Sequence, residues 1–231
     1  MVLDTQTIEN IMNSIKLAKL FEVESLIVEP HVIRGINSKS TAAIFTECTN
    51  NIGCAAAGIN RFDVLGKRLT LVDPIDASIE LEYEDEEDEA TMIRIKSKKL
   101  NIAHRCGTLR TITAPKSLAV KPMYKVEFTD ELYKTLSSAK QAMKTDEVLL
   151  LSDDGNVCYE FIDQSDKLQY FDGTAVNIDD EFKNVNFIIK FPLKFLLHLI
   201  NGLNVNEFFI MEKEMIHGVV DGVGIYIPKK K

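Results

Sequence analysis

The sequence predicts an α+β protein that uses one architecture twice. Only four segments carry apolar residues at helical spacing, and most of the rest falls into short alternating or β-branched runs. The order of these elements also repeats. Helix, strands, helix, strands occupies about residues 1–107; strand, helix, strands, helix, strands occupies about residues 122–231. The helix starts lie about 54 residues apart in the first half and about 63 in the second, with little identity between the halves. A length of 231 residues allows two domains at roughly 100–200 residues each, and a hydrophobic fraction of 45% supplies a core for both.

The first helix is expected over residues 7–19. Ile8, Ile11, Met12 and Ile15 share a face, Thr5 or Thr7 can cap the start, and Lys16 and Lys19 fall near its end. The second is expected over residues 61–72. Phe62, Leu65, Leu69 and Val72 form the stripe, Asn60 is the expected N-cap, Asp63 suits the positive end, and Pro74 ends it. Lys67 and Arg68 lie towards its other face. The third begins after Thr129 as cap, with Asp130 and Glu131 in the first turn. Leu132, Leu136, Ala139 and Met143 make the stripe, Lys134 lies mainly opposite it, and Lys140 and Lys144 sit towards the end. The fourth is expected from Pro192 to Gly202, apolar nearly all round, with Lys194 and His198 as its main polar positions.

Strands are expected over residues 24–28, 42–48, 78–83, 91–96, 147–151, 156–161, 187–190, 207–211 and 223–227. Asp153-Asp154-Gly155 reads as the turn of a hairpin. Residues 108–121 are polar, contain Pro115 and lack a period. They read as a connector between a first domain at 1–107 and a second at 122–231.

Several function classes are excluded by what is missing. The longest apolar stretch, residues 195–200, is far short of the ~18–20 residues of a membrane span. The first residues lack the basic-then-apolar order of a secretion signal. Cys48, Cys54, Cys106 and Cys158 have no CxxC spacing, so reduced thiols and an intracellular, soluble chain are expected. His31, His104, His198 and His217 are scattered without zinc spacing. The pairs Asp153-Asp154 and Asp179-Asp180 sit at turn-like positions, and no phosphate-binding glycine loop or nucleophile elbow occurs. No catalytic residue, metal or cofactor is expected.

The net charge of −8 argues at first sight against nucleic acid. Glu80, Glu82 and the six acids at 84–89 account for that total, so the remainder is formally neutral. The run at 84–89 reads as a solvated loop or hairpin tip, while the expected helices hold lysines.

Four segments carry a family likeness. VEPHVIRGINSKSTAAIF from Val28 has a strand, a Gly-Ile turn and a small-residue strand. GINRFDVLGKRL from Gly58 runs a strand into a helix, FPLKFLLHLI from Phe191 opens the last quarter with a helix, and GIYIPK from Gly224 closes the chain. In order and spacing these resemble DNA sliding clamps, the polymerase processivity factors, and most of all the trimeric type: proliferating cell nuclear antigen and the clamps of T-even-like phages.

That resemblance implies two tandem clamp-type domains, each with two helices on antiparallel sheets, and a closed ring of three chains around double-stranded DNA. It implies a tethering role without turnover, with a DNA polymerase and a clamp loader as partners and no membrane. It makes Lys16, Lys19, Lys67, Arg68, Lys134, Lys140, Lys144 and Lys194 candidates for sequence-independent phosphate contacts on the inner helices; the same side chains also read as ordinary solvated helix faces. It further implies a partner pocket at Ile36, Thr41, Leu118, Ala119, Val120, Tyr226 and Pro228, where Leu118 and Val120 could equally tack down the connector. The connector is short and Ser40 stands where the cellular proteins commonly have His, both departures from the family pattern. Two alternatives stay open: a clamp-fold processivity subunit acting as monomer or dimer, and a β-rich hydrolase with an unrecognised site.

Overall fold

The computed structural model describes residues 5–48, 56–72, 78–83, 89–115, 120–127, 129–153, 156–172, 175–178, 187–201 and 207–230. The chain divides into two compact units, Met1–Ser117 with Asp221–Val223, and Leu118–Val220 with Gly224–Lys231.

The first unit runs α1 (Thr5–Leu20), β1 (Leu26–Glu29), β2 (Val32–Ile36), β3 (Ala43–Glu47), β4 (Ala56–Ile59), α2 (Phe62–Leu69), β5 (Ser78–Tyr83), β6 (Glu89–Lys96) and β7 (Asn101–Arg105). Strands β3-β2-β1-β4 are antiparallel neighbours, and β5-β6-β7 form a meander that β4 joins through a short parallel pairing with β6. The second unit runs β8 (Pro122–Glu127), α3 (Asp130–Met143), β9 (Glu147–Asp153), β10 (Asn156–Asp163), β11 (Asp166–Asp172), β12 (Ala175–Asn177), β13 (Ile188–Pro192), α4 (Leu193–Asn201), β14 (Glu207–Met211), β15 (Met215–Val220) and β16 (Val223–Pro228). Its strands form two sets, β11-β10-β9-β13 and β12-β8-β14-β15-β16. The order β11-β10-β9-β13 behind α3 repeats β3-β2-β1-β4 behind α1, so the duplicated pattern of the sequence is also a duplicated pairing scheme.

The helical stripes do what their spacing dictates. Ile8, Ile11, Ile15 and Ala18 of α1 are buried, and the buried Ser14 hydroxyl meets the Thr46 hydroxyl of β3 at 2.9 Å. Phe62, Leu65 and Leu69 of α2 are buried in the same unit. There Ile8, Ile11, Leu65, Leu69, Ile79 and Ile93 line one apolar cluster. In α3, Leu132, Leu136, Ala139 and Met143 are buried, and the Thr129 hydroxyl accepts from the Leu132 amide at 3.0 Å, the cap expected from sequence. Helix α4 buries Leu193, Phe195, Leu196, Leu199 and Ile200, leaving Lys194 exposed. Each large apolar side chain so buried contributes about 1.5–3 kcal/mol of transfer free energy.

Four sequence expectations need correction. Thr7 does not cap α1: it lies inside the helix and is buried. Asn60 does not cap α2. Arg61 holds that position in the left-handed region (φ 51°, ψ 50°) without a side-chain cap, and the helix stops at Leu69, three residues early. Pro192 ends β13, and α4 starts one residue later. Glu89 opens β6 rather than closing an acidic loop, while Glu80 and Glu82 lie on β5, inside the strand expected over residues 78–83. Glu80 pairs with Lys96 at 2.6 Å and Glu82 with Arg94, both diagonally across β5–β6. Strands β2, β4, β7, β8, β11, β12 and β15 were absent from the runs found by periodicity. Residues 84–88, Cys54, Asp154, Asp179, Asp180 and Gly202 lie outside the described residues.

Gly58 fixes the meeting of β4 with the segment after β7. It bridges to Gly107, and the Gly107 amide donates to the Gly58 carbonyl at 2.9 Å. A Cβ on Gly58 would lie 2.1 Å from the Gly107 carbonyl oxygen, a backbone atom that cannot swing aside. Gly58→Ala is expected to destabilise the protein by about 1–3 kcal/mol, or more. Urea denaturation followed by circular dichroism would show this as a lowered midpoint; an unchanged midpoint would mean the backbones separate freely.

Candidate nucleic-acid interface

Burying one stripe of each helix sends the opposite stripe to solvent, and most of the helices' own basic residues lie there. The four helices with the α3 C-cap carry Lys16, Lys19, Lys67, Arg68, Lys134, Lys140, Lys144 and Lys194 against only Glu9, Asp63, Asp130 and Glu131. They are therefore formally +4 in a chain of −8, and everything outside them is −12. The sheets compensate much of their acidity internally. Lys125 pairs with Glu207 and, at 3.7 Å, with Glu127. Glu147 receives both Lys190 and Lys230; its partial burial raises the carboxyl's pKa, but these two ammonium groups outweigh that and hold it below the usual range.

The eight candidates are not equivalent. Lys16, Lys67, Lys134, Lys144 and Lys194 are exposed. Lys144 leaves α3 in the left-handed region (φ 50°). Lys19 is exposed but pairs with Asp63, tying α1 to α2, and its hydrogen bond is the main reason the Asp63 carboxyl is acidified. Lys140 stands 3.7 Å from Asp146. Arg68 departs furthest from a free phosphate ligand: its Nη1 donates to the Ala103 carbonyl at 2.8 Å and approaches His104 Nδ1 at 3.2 Å. Sequence reasoning missed Arg61, whose Nη2 donates to the Arg105 carbonyl at 2.9 Å. Its spacing places it only as the first helical residue, and nothing in that spacing marks a left-handed cap.

His104 is fully buried beneath these arginines. A guanidinium can only donate, so Nδ1 is the acceptor and the ring proton sits on Nε2. Burial first, then the Arg61 and Arg68 charges, lower its pKa to about 4.

For the partner pocket, Ile36 ends β2 and is half-buried. The Thr41 amide donates to Asn37 Oδ1 at 2.8 Å, which fixes the β2–β3 turn. Both belong to the first unit. In the second, Val120 and Pro228 are half-buried, and Tyr226 stacks on His217 with ring centroids 4.2 Å apart. Phe209 lies on the other side of His217, so three rings cross β14, β15 and β16. Leu118 and Ala119 lie outside the described residues. Among the described residues no group of three potential metal ligands occurs, and Cys48, Cys106 and Cys158 are free thiols. No described helix is long and apolar enough to cross a membrane.

No family model and no curated protein sequence matches the chain. Solved structures do. A. fulgidus PCNA, solved with the C-terminal region of FEN-1 bound, is 13% identical, with a TM-score of 0.59 over 100% of this chain and 98% of that one. PCNA from Thermococcus kodakaraensis gives the same identity and TM-score over 100% and 99%. A putative DNA polymerase III beta subunit from Eubacterium rectale is 9% identical with a TM-score of 0.69, and this chain spans 64% of its length. The chain thus has the sliding-clamp fold, matched end to end by two PCNA structures.

The buried neutral His104 makes stability depend on pH. An unfolded histidine titrates near 6.5, so its contribution is complete above that pH and is lost as the pH falls towards 4. At pH 5 the loss is about 2 kcal/mol relative to neutrality, at about 1.36 kcal/mol per pH unit. Urea midpoints of wild type and His104→Gln across pH 7.5 to 5 test this. The variant should show the shallower decline, and parallel curves would remove His104 as the cause.

Proposed function

We propose that this protein is a DNA polymerase sliding clamp: three chains close into a ring around duplex DNA and tether the polymerase and other partners for processive synthesis. The observation that carries the reading is charge segregation within a sliding-clamp fold: the helices hold +4 of a chain at −8. Duplex phosphates attract such a face without base readout, which a ring must avoid if it is to slide. The chemistry is topological, and no bond is made or broken.

Two domains per chain, 1–107 and 122–231 joined by the connector 108–121, make three chains the number that completes six domains. Strands β5, β7, β11, β12 and β13 each pair with a single strand neighbour among the described residues; of these, β11 and β7, the latter once its arginine contacts leave, are proposed to pair between chains. Ile36, Thr41, Leu118, Ala119, Val120, Tyr226 and Pro228 are proposed to receive an apolar anchor from a polymerase or a clamp loader.

Loading onto nicked circular and linear DNA tests the ring. Retention on circles with loss from linear ends is expected, and equal retention on both would refute encirclement. Light scattering should return the mass of three chains; a monomer at micromolar concentration would favour the monomeric processivity subunit. Charge reversal at the exposed Lys134 and Lys144 should weaken DNA retention at least tenfold and flatten its salt dependence, since each lost phosphate contact reduces the counter-ion slope by about one. An unchanged salt slope would exclude this face from DNA contact.

A further inference from the structure

The meander β5-β6-β7 leaves one side of β7 facing away from β6, and that side is occupied by α2. The ladder phase is fixed at both ends: Cys106 donates to the Thr91 carbonyl and Ser97 to the Leu100 carbonyl, each at 2.8 Å. In an antiparallel pair, alternate residues turn both backbone groups to the same side. Residues 100, 102, 104 and 106 therefore bond to β6, and Asn101, Ala103, Arg105 and Gly107 turn outward.

The chain that follows β4 covers these outward positions in sequence. Gly107 bonds to Gly58 of β4. Where β4 ends, two side chains take over: Arg61 Nη2 holds the Arg105 carbonyl at 2.9 Å and Arg68 Nη1 holds the Ala103 carbonyl at 2.8 Å. Arg61 does so from a left-handed backbone (φ 51°), a conformation that glycine adopts more readily than a residue with a Cβ. A strand edge that carries guanidinium groups on its carbonyls cannot accept another strand until they leave.

We propose that Arg61 and Arg68 are reversible caps on the β7 edge, displaced when β11 of a second copy of this chain adds there as a strand. Strand β11 is the fitting occupant. Beyond β10 it has no strand neighbour among the described residues, and it exposes Phe171 (69%). Asp163 and Asp166 stand at its β10 turn, and an antiparallel addition brings that end of β11 to the end of β7 that holds the exposed Arg105. The caps keep the unassembled edge from pairing indiscriminately and set the concentration at which chains associate. The choice of partner rests on the ring reading; the capping rests on the geometry of the first unit.

Sedimentation velocity over a concentration series tests the proposal, with circular dichroism confirming that each variant is folded. Arg61→Gly suits the left-handed backbone and removes one cap; Arg61→Gly with Arg68→Ala removes both. Ala103→Pro fills an outward-facing edge position that proline tolerates and obstructs an added strand. The dissociation constant should tighten about threefold with one cap removed and about tenfold with both, as expected for hydrogen bonds of modest net strength. Ala103→Pro should abolish association. An unchanged or weaker constant in the folded double variant overturns the caps, as does Ala103→Pro associating like wild type. Tightened association without retention on nicked circles would sustain the caps and reject the sliding clamp.

Discussion

Each half of the chain must bury the apolar stripes of two short helices, and that requirement organises the rest of the structure. Helices of eight to sixteen residues are marginal alone and persist because a sheet covers one side of them. Ile8, Ile11 and Ile15 in α1, and Leu132, Leu136 and Met143 in α3, leave no choice of which side that is. The buried Ser14–Thr46 hydrogen bond then sets where α1 lies on β3, because either hydroxyl left alone would cost free energy.

Once the apolar stripe points inward, the charged stripe points out, so charge segregation follows from packing rather than from a separate device. An acidic chain can in this way present basic helices. The strands keep most of their own charges in cross-strand pairs such as Glu80–Lys96 and the Glu147 cluster with Lys190 and Lys230. Those pairs are exposed or half-exposed and add little stability. Their consequence is that the field outside the sheets is weaker than the count of acids suggests.

The same packing makes the basic residues unequal. Lys134 and Lys144 reach solvent, whereas Lys19 is engaged by Asp63, and Arg68 lies over the buried His104 and the β7 backbone. A formal charge is a property of the residue. Its availability depends on which neighbours the fold delivers, and around α2 the neighbours are backbone carbonyls.

Much of this was legible in the sequence. The apolar periodicities located the four α-helices among the described residues, the Thr129 cap and the duplicated order, because stripe burial depends only on local spacing. Strands β9 and β10 pair from Asp153↔Asn156 onward, the two strands expected on either side of Asp153-Asp154-Gly155. Strands such as β7 and β11 were not legible: NIAHR and DKLQYFD alternate poorly, since an outer strand needs little apolar surface to be held by one neighbour's hydrogen bonds. The left-handed Arg61, the buried neutral His104 and the arginines on β7 were equally hidden. Those features depend on residues some 35 to 44 positions apart meeting across α2 and β7. Sequence alone thus determined which faces are apolar and which basic. Tertiary structure decided which charges remain free, because only the folded chain brings a guanidinium to a carbonyl distant in sequence.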